Sequence, residues 1–218
     1  MVRAVKSTEG RIEKETELPK ETRGRLPLYL RQLEELCECG RTWVTSEQLV
    51  EDLPGISPYI LRKDLSYLGD YGTKGRGYNV PLLLDELKDL LNLQSSRKVA
   101  LVGVGDVGST LLEGTNLDPW GVEITLAFDR NPEIIGTKVG DLRVKPAGEM
   151  VEAIREQDIK IAIMAVPASG AQEIADKLAS AGIRGIVNLA PVLLDLPEEV
   201  KVFQMDITSK LVELGCYL

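Results

Sequence analysis

A chain of 218 residues, 44% of them hydrophobic, suits one large domain or two small ones with cores of their own. No stretch approaches the roughly 18 uninterrupted apolar residues of a membrane span, and the polar segment Met1 to Gly24 lacks the apolar run of a secretion signal, so the expectation is a soluble cytoplasmic protein. Histidine is absent, which removes the commonest general base near neutral pH and a ligand of most metal clusters; neither an enzyme nor a metal site is expected.

Cys37, Cys39 and Cys216 make no disulfide framework. The first two stand two apart on a helical stretch, where side chains diverge, and read as small fillers in a reducing compartment. The net charge of −8 argues against nucleic acid until it is divided. Residues 1–95 carry 14 basic and 16 acidic groups, and residues 96–218 carry 12 and 18. Between Ser57 and Tyr78 the balance is +2, with Arg62, Lys63, Lys74 and Arg76 against Asp64 and Asp70. Positive charge gathers where a DNA-reading element would need it.

Residues 1–24 show no apolar periodicity and read as a mobile tail. From there to residue 94 the pattern predicts a winged helix-turn-helix, an α+β domain. Leu26, Leu30, Leu33 and Cys37 form the stripe of a first helix that Gly40 ends. Thr45 to Gln48 offers a capping box for a short second helix, broken by Pro54-Gly55. Ser57-Pro58 caps a third, with Leu61, Leu65 and Leu68 on one face and Tyr59, Arg62, Lys63 and Ser66 on another. Tyr71 to Tyr78 is a glycine-rich hairpin with basic residues near its tip, and Pro81 opens a fourth, leucine-rich helix.

From residue 95 to 218 strand and helix alternate, which predicts a Rossmann-like, doubly wound parallel α/β sheet. Short apolar runs at residues 99–102, 122–128, 159–165 and 185–188 suit buried parallel strands, with weaker strands at 142–144 and 200–205. Helices are expected near 109–112, 148–156 and 168–181. The last segment carries Ile207, Leu211, Leu214 and Tyr217 or Leu218 on one stripe with no core left to cover, so it is expected to pack on a second subunit.

The chemistry concentrates in Gly103-Val104-Gly105-Asp106-Val107-Gly108. This G-x-G-x-x-G pattern follows one strand, opens a helix and precedes a second strand ending in Asp129, the context of a dinucleotide-binding fingerprint. Gly103 allows the tight turn, Gly105 lets the backbone approach a pyrophosphate, and Gly108 brings helix and strand together. Asp129 suits ribose hydroxyls and repels a 2′-phosphate, favouring NAD(H), while the neighbouring Arg130 moderates that preference. Val166-Pro167, Asn188, Ala190-Pro191 and Asp206 fall at further strand ends facing the same crevice, Asp206 also being a candidate helix cap. The third helix and the hairpin supply the DNA candidates, which are Ser57, Tyr59, Arg62, Lys63, Ser66, Tyr67, Lys74 and Arg76. Arg25 offers a phosphate contact.

The motifs Pro27-Leu28-Tyr29-Leu30-Arg31, Arg62-Lys63-Asp64-Leu65-Ser66-Tyr67 and Gly75-Arg76-Gly77-Tyr78-Asn79-Val80 closely resemble the Rex family of redox-sensing transcriptional repressors. So do the glycine loop, Phe128-Asp129 with Ile135-Gly136, Val166-Pro167, the stretch Gly185 to Val192 and Met205-Asp206, so that the likeness runs from about Arg25 to Leu218. The resemblance implies a homodimer that exchanges its C-terminal helix, binds an inverted repeat (A·T-rich) through two winged helices and leaves it when NADH is high. It implies Arg62, Lys63, Lys74 and Arg76 on DNA, Gly103 to Gly108 and Asp129 on the dinucleotide, and Arg31 with Asp206 as an intersubunit switch ion pair. In one departure, Gly114 stands where many relatives carry a tyrosine that senses the nicotinamide.

Two other readings compete. An NAD-dependent oxidoreductase would need a positioned acid or base and a substrate domain, and beyond the fingerprint the sequence has no Tyr-x-x-x-Lys pair or histidine to offer. A DNA-binding protein whose second domain only dimerises would have no use for the intact fingerprint, whereas an NAD-binding relative whose DNA binding is insensitive to redox state would keep it.

Overall fold

A computed structural model describes residues 18–114, 117 and 120–218, which form two compact units divided between residues 94 and 95. In the first unit, helix α1 (Lys20–Glu38) buries Thr22, Leu26, Tyr29, Leu30 and Leu33 along one stripe. It begins earlier than the tail expected over residues 1–24. Leu18, Thr22 and Leu26 are all buried at helical spacing, so the packed stripe continues back past Leu26. Residues 1–17 of that tail lie outside the described residues.

Strand β1 (Trp43–Val44) leads into the short helix α2 (Ser46–Leu49), capped by Thr45 through a capping box closed by Gln48. Helix α3 (Pro58–Leu68) starts on the Ser57 hydroxyl, which accepts from the Ile60 N–H, with proline at its first position. Strands β2 (Gly72–Thr73) and β3 (Gly77–Asn79) make the hairpin, and β3 also pairs with β1. Helix α4 (Val80–Leu90), capped by Asn79, closes the unit by burying Val80, Leu83, Leu84 and Leu87. Fully burying such a leucine stabilises by about 2 kcal/mol. The arrangement is a winged helix-turn-helix with α3 as its third helix.

The second unit is a six-stranded parallel sheet of order β11-β10-β9-β4-β5-β8. Its strands are β4 (Arg97–Val102), β5 (Val122–Asp129), β8 (Lys145–Pro146), β9 (Ile161–Met164), β10 (Gly185–Asn188) and β11 (Lys201–Gln204). The chain winds outward from β4 toward β8 and then, returning to β9, toward β11, so the order reverses beside β4. A small hairpin of β6 (Lys138–Val139) and β7 (Leu142–Arg143) stands apart from this sheet. The weak strand expected at 142–144 therefore pairs locally, and the two residues after it supply the sixth strand.

Helices α5 (Asp106–Gly114), α6 (Met150–Glu156) and α7 (Ala168–Ala181) alternate with the strands. The main core joins Ala100, Val102, Phe128, Ala162 and Met164 of the sheet to Met150, Ile154, Ala171, Ala175 and Leu178 of α6 and α7. Near-continuous apolar strands are what a sheet covered on its faces requires. The chain closes with α8 (Ile207–Gly215).

Candidate functional site

In the first unit α3 splits cleanly by face. Leu61, Asp64, Leu65 and Leu68 are buried, while Tyr59, Arg62, Lys63, Ser66 and Tyr67 are exposed. The buried aspartate is the unexpected member. Its carboxylate accepts from Arg25 Nε at 2.6 Å and Nη2 at 2.8 Å, from the Tyr29 hydroxyl at 2.6 Å and from the Thr22 hydroxyl at 2.8 Å. Three residues one helical turn or so apart on α1 thus converge on a single group of α3. Burial pushes the Asp64 carboxyl up, but those hydrogen bonds and the Arg25 charge outweigh it and hold it below the ordinary carboxylate range. Burial and the same carboxylate push the Tyr29 hydroxyl up.

Arg25, expected on phosphate, is here occupied as an internal clamp. Arg62 Nη1 donates to the Ser46 hydroxyl at 2.6 Å and lies 3.4 Å from Glu47, so it ties α3 to α2 from an exposed position. Arg76 stacks its guanidinium 4.0 Å over the Trp43 ring, a contact that steadies a cation without neutralising it. Lys63 and Lys74 are exposed. Ser57 caps the helix and Ser66 donates to the Lys63 carbonyl, so both hydroxyls serve the backbone of α3.

In the second unit the C-terminal ends of three strands lie level, since Val102 pairs with Phe128 on one side and with Met164 on the other. The Gly103 N–H donates to the Phe128 carbonyl and the Ala165 N–H to the Val102 carbonyl, each at 2.8 Å. Asp129 accepts from the Val104 N–H and the Asn131 N–H, both at 2.7 Å. It therefore shapes the glycine loop as well as facing the crevice, and its remaining lone pairs are those left for a ribose.

The three glycines differ in what surrounds them. Gly103 has φ +94°, and a side chain there would overlap the Ala165 carbonyl; one on Gly108 would overlap the carbonyl of Gly103. A Cβ on Gly105 would meet nothing within 4 Å. Its open space belongs to a cavity of about 590 Å³, bounded by Gly103, Gly105, Asp106 and Val107 of the loop. Asp129, Arg130 and Asn131 bound it after β5, and Ala165, Val166 and Pro167 after β9. Helix α7 adds Gly170, Glu173, Ile174 and Lys177.

That volume suits a small-molecule site, and the first turn of α5 supplies N–H groups with no intrahelical partner beside it. A dinucleotide fits these residues. The backbone would meet the pyrophosphate where no side chain intervenes, and the carboxylate at the end of β5 would face the ribose.

Other expected residues fall elsewhere. Asn188 is fully buried, donating to the Val192 carbonyl and Gln204 Oε1 and accepting from the Ala190 N–H. It and Ala190 hold the turn after β10, and neither they nor Pro191 bound the cavity. Asp206 caps α8 by accepting from the Thr208 and Ser209 N–H groups. The face of α7 was missed because its helical spacing, i, i+3, i+4 and i+7, also describes a solvated surface.

Strand β11 and helix α8 expose Phe203, Met205, Ile207, Leu211, Val212, Leu214, Tyr217 and Leu218, an unusual run of apolar groups at an edge of the sheet. Among the described residues, no helix is long and apolar enough to cross a membrane.

Both units resemble known proteins. The model of a putative DNA-binding protein N-terminus matches residues 17–66, and that of a CoA binding domain matches residues 94–192. The redox-sensing transcriptional repressor Rex of Brevibacillus brevis is 39% identical over 194 residues, covering 89% of this chain and 93% of its own. That of Chloroflexus aurantiacus is 41% identical over 194 residues, with 89% and 91% covered. The crystal structure of RSP in complex with beta-NAD+ and operator DNA superposes with a TM-score of 0.86 at 30% identity, covering 91% of each chain. RSP in complex with beta-NADH gives 0.82 at 28% identity, with 92% and 94% covered.

Proposed function

The chain belongs to the Rex family of redox-sensing transcriptional repressors, and from that membership we propose how its own residues bind operator DNA and NAD(H). The observation that carries the reading is the crevice at the reversal of strand order, where Gly105 leaves open the space that a pyrophosphate needs. Gly103 to Gly108 hold the dinucleotide and Asp129 its ribose. The bound nicotinamide supplies a redox state to be read. The relatives are repressors, and this chain is a regulator of the same kind, not an enzyme.

On DNA, α3 enters the major groove with Tyr59, Arg62, Lys63 and Tyr67, and the hairpin lays Lys74 and Arg76 along the adjacent backbone. Ser57, Ser66 and Arg25 contribute by fixing the pose of α3, since their polar groups are committed within the unit. The exposed apolar run of β11 and α8 supports a homodimer joined through the C-terminal helix, and a two-fold protein asks for an inverted repeat. Arg31 of one subunit and Asp206 of the other form the pair that couples cofactor state to DNA affinity. Ligand control requires the two dimer arrangements to bind NADH unequally, and about 1.4 kcal/mol of difference gives tenfold.

The test is operator binding by fluorescence anisotropy, using an A·T-rich inverted repeat with and without NADH or NAD+. NADH is expected to weaken binding. Gly105→Val should abolish that response while the protein still binds DNA. Unchanged DNA affinity in NADH, together with NADH oxidation on adding a carbonyl compound, would refute the repressor reading.

A further inference from the structure

We propose that Glu173 sets the preference of the crevice for an unphosphorylated dinucleotide by neutralising two cations that line it, Arg130 and Lys177; this rests on the dinucleotide reading above. Helix α7 turns Gly170, Glu173, Ile174 and Lys177 toward the cavity, while Ala171, Ala175 and Leu178 go to the core. Glu173 Oε1 and Lys177 Nζ are 2.6 Å apart. Arg130, one residue beyond the ribose carboxylate Asp129, bounds the same cavity from the β5 side, and β5 and β9 flank β4 on opposite sides. Lys177 first, and Arg130 more weakly, hold the Glu173 carboxyl below its ordinary range.

The electrostatics decide the role. Arg130 and Lys177 together are the pair of cations that a 2′-phosphate would seek, and a guanidinium beside the ribose is the usual partner of that group. Asp129 cannot cancel both, and its two oxygens already accept backbone N–H groups. Glu173 supplies the second negative charge. With it the side chains of Asp129, Arg130, Glu173 and Lys177 sum to zero, Asp106 of the loop adds a further negative charge to the cavity, and a phosphate entering there must displace a carboxylate from Lys177. Without it the sum is +1, and Lys177 is released to meet the phosphate.

The test compares dissociation constants for NADH and NADPH by fluorescence in wild type, Glu173→Gln and Glu173→Gln with Lys177→Met. Wild type should prefer NADH. Glu173→Gln should shift the NADPH-to-NADH affinity ratio about tenfold toward NADPH, the order expected for one unit charge about 4 Å away and screened almost as in bulk water, since both side chains of the pair are exposed. The added Lys177→Met should reverse most of that shift, and high salt should shrink it. An unchanged ratio in Glu173→Gln overturns the inference while leaving the NAD(H) reading intact. Equal wild-type affinity for both dinucleotides also overturns it. Binding of neither dinucleotide by wild type overturns the reading and the inference together.

Discussion

The candidate sites of the two units are built from different parts of the polypeptide. In residues 95–218 the ligand-facing surface is chiefly backbone: a glycine loop, a helix N-terminus and strand ends, shaped by Asp129. In the first unit it is side chains on a regular helix and on a hairpin whose Gly75 and Gly77 take positive φ. The cores differ in the same sense. The first unit holds its recognition helix by a buried charge, Asp64, with three donors on α1, whereas the sheet relies on apolar packing and one satisfied amide, Asn188. A site made of backbone is intolerant of added atoms; a site made of side chains is intolerant of lost ones.

Substitutions can break that contrast. The largest effect is expected at Gly108, where a valine must overlap the Gly103 carbonyl. Gly108→Val should lose about 4 kcal/mol of stability in denaturant unfolding, and a loss below about 1 kcal/mol would mean that the loop yields easily.

Next comes Asp64→Ala, which strands Arg25, Tyr29 and Thr22. It should cost about 3 kcal/mol. Because the folded carboxyl titrates below its unfolded value of about 3.9, its stabilisation is complete above that pH and is lost as pH falls through the folded value. Asp64→Asn should therefore flatten the acid limb of the stability curve, and an unchanged limb would remove Asp64 from the account.

Arg62→Ala should weaken operator binding by about 2 kcal/mol if it reads a base, with a smaller loss of stability from the Ser46 tether. A stability loss with normal DNA affinity would make it a strut only. The smallest effect belongs to Arg76→Ala, which removes the stack on Trp43 and should cost about 1 kcal/mol of DNA affinity and reduce its salt dependence.

Much of this was legible in residues 25–218. The capping box at Thr45, the Ser57-Pro58 start and the fingerprint at Gly103 are local signals, each read within a few residues. Less legible was the start of α1, since Thr22 is an unremarkable polar residue until Asp64, 42 positions away, accepts its hydroxyl. The partners of Asn188 were illegible for the same reason: an asparagine at a strand end gives no local sign of its bonds to the Val192 carbonyl and Gln204.

By itself the sequence determined element type, the caps, the phosphate loop and the basic face of α3, because each follows from periodicity or from a backbone requirement confined to adjacent residues. Only the tertiary structure decided which polar groups point inward. It gave Arg25 a buried partner in Asp64, and it brought Glu173 and Lys177 to the crevice that Arg130 and the glycine loop also line. The physical reason is pairing: a charged side chain's role is set by the partner it meets, and that partner lies far away in the chain.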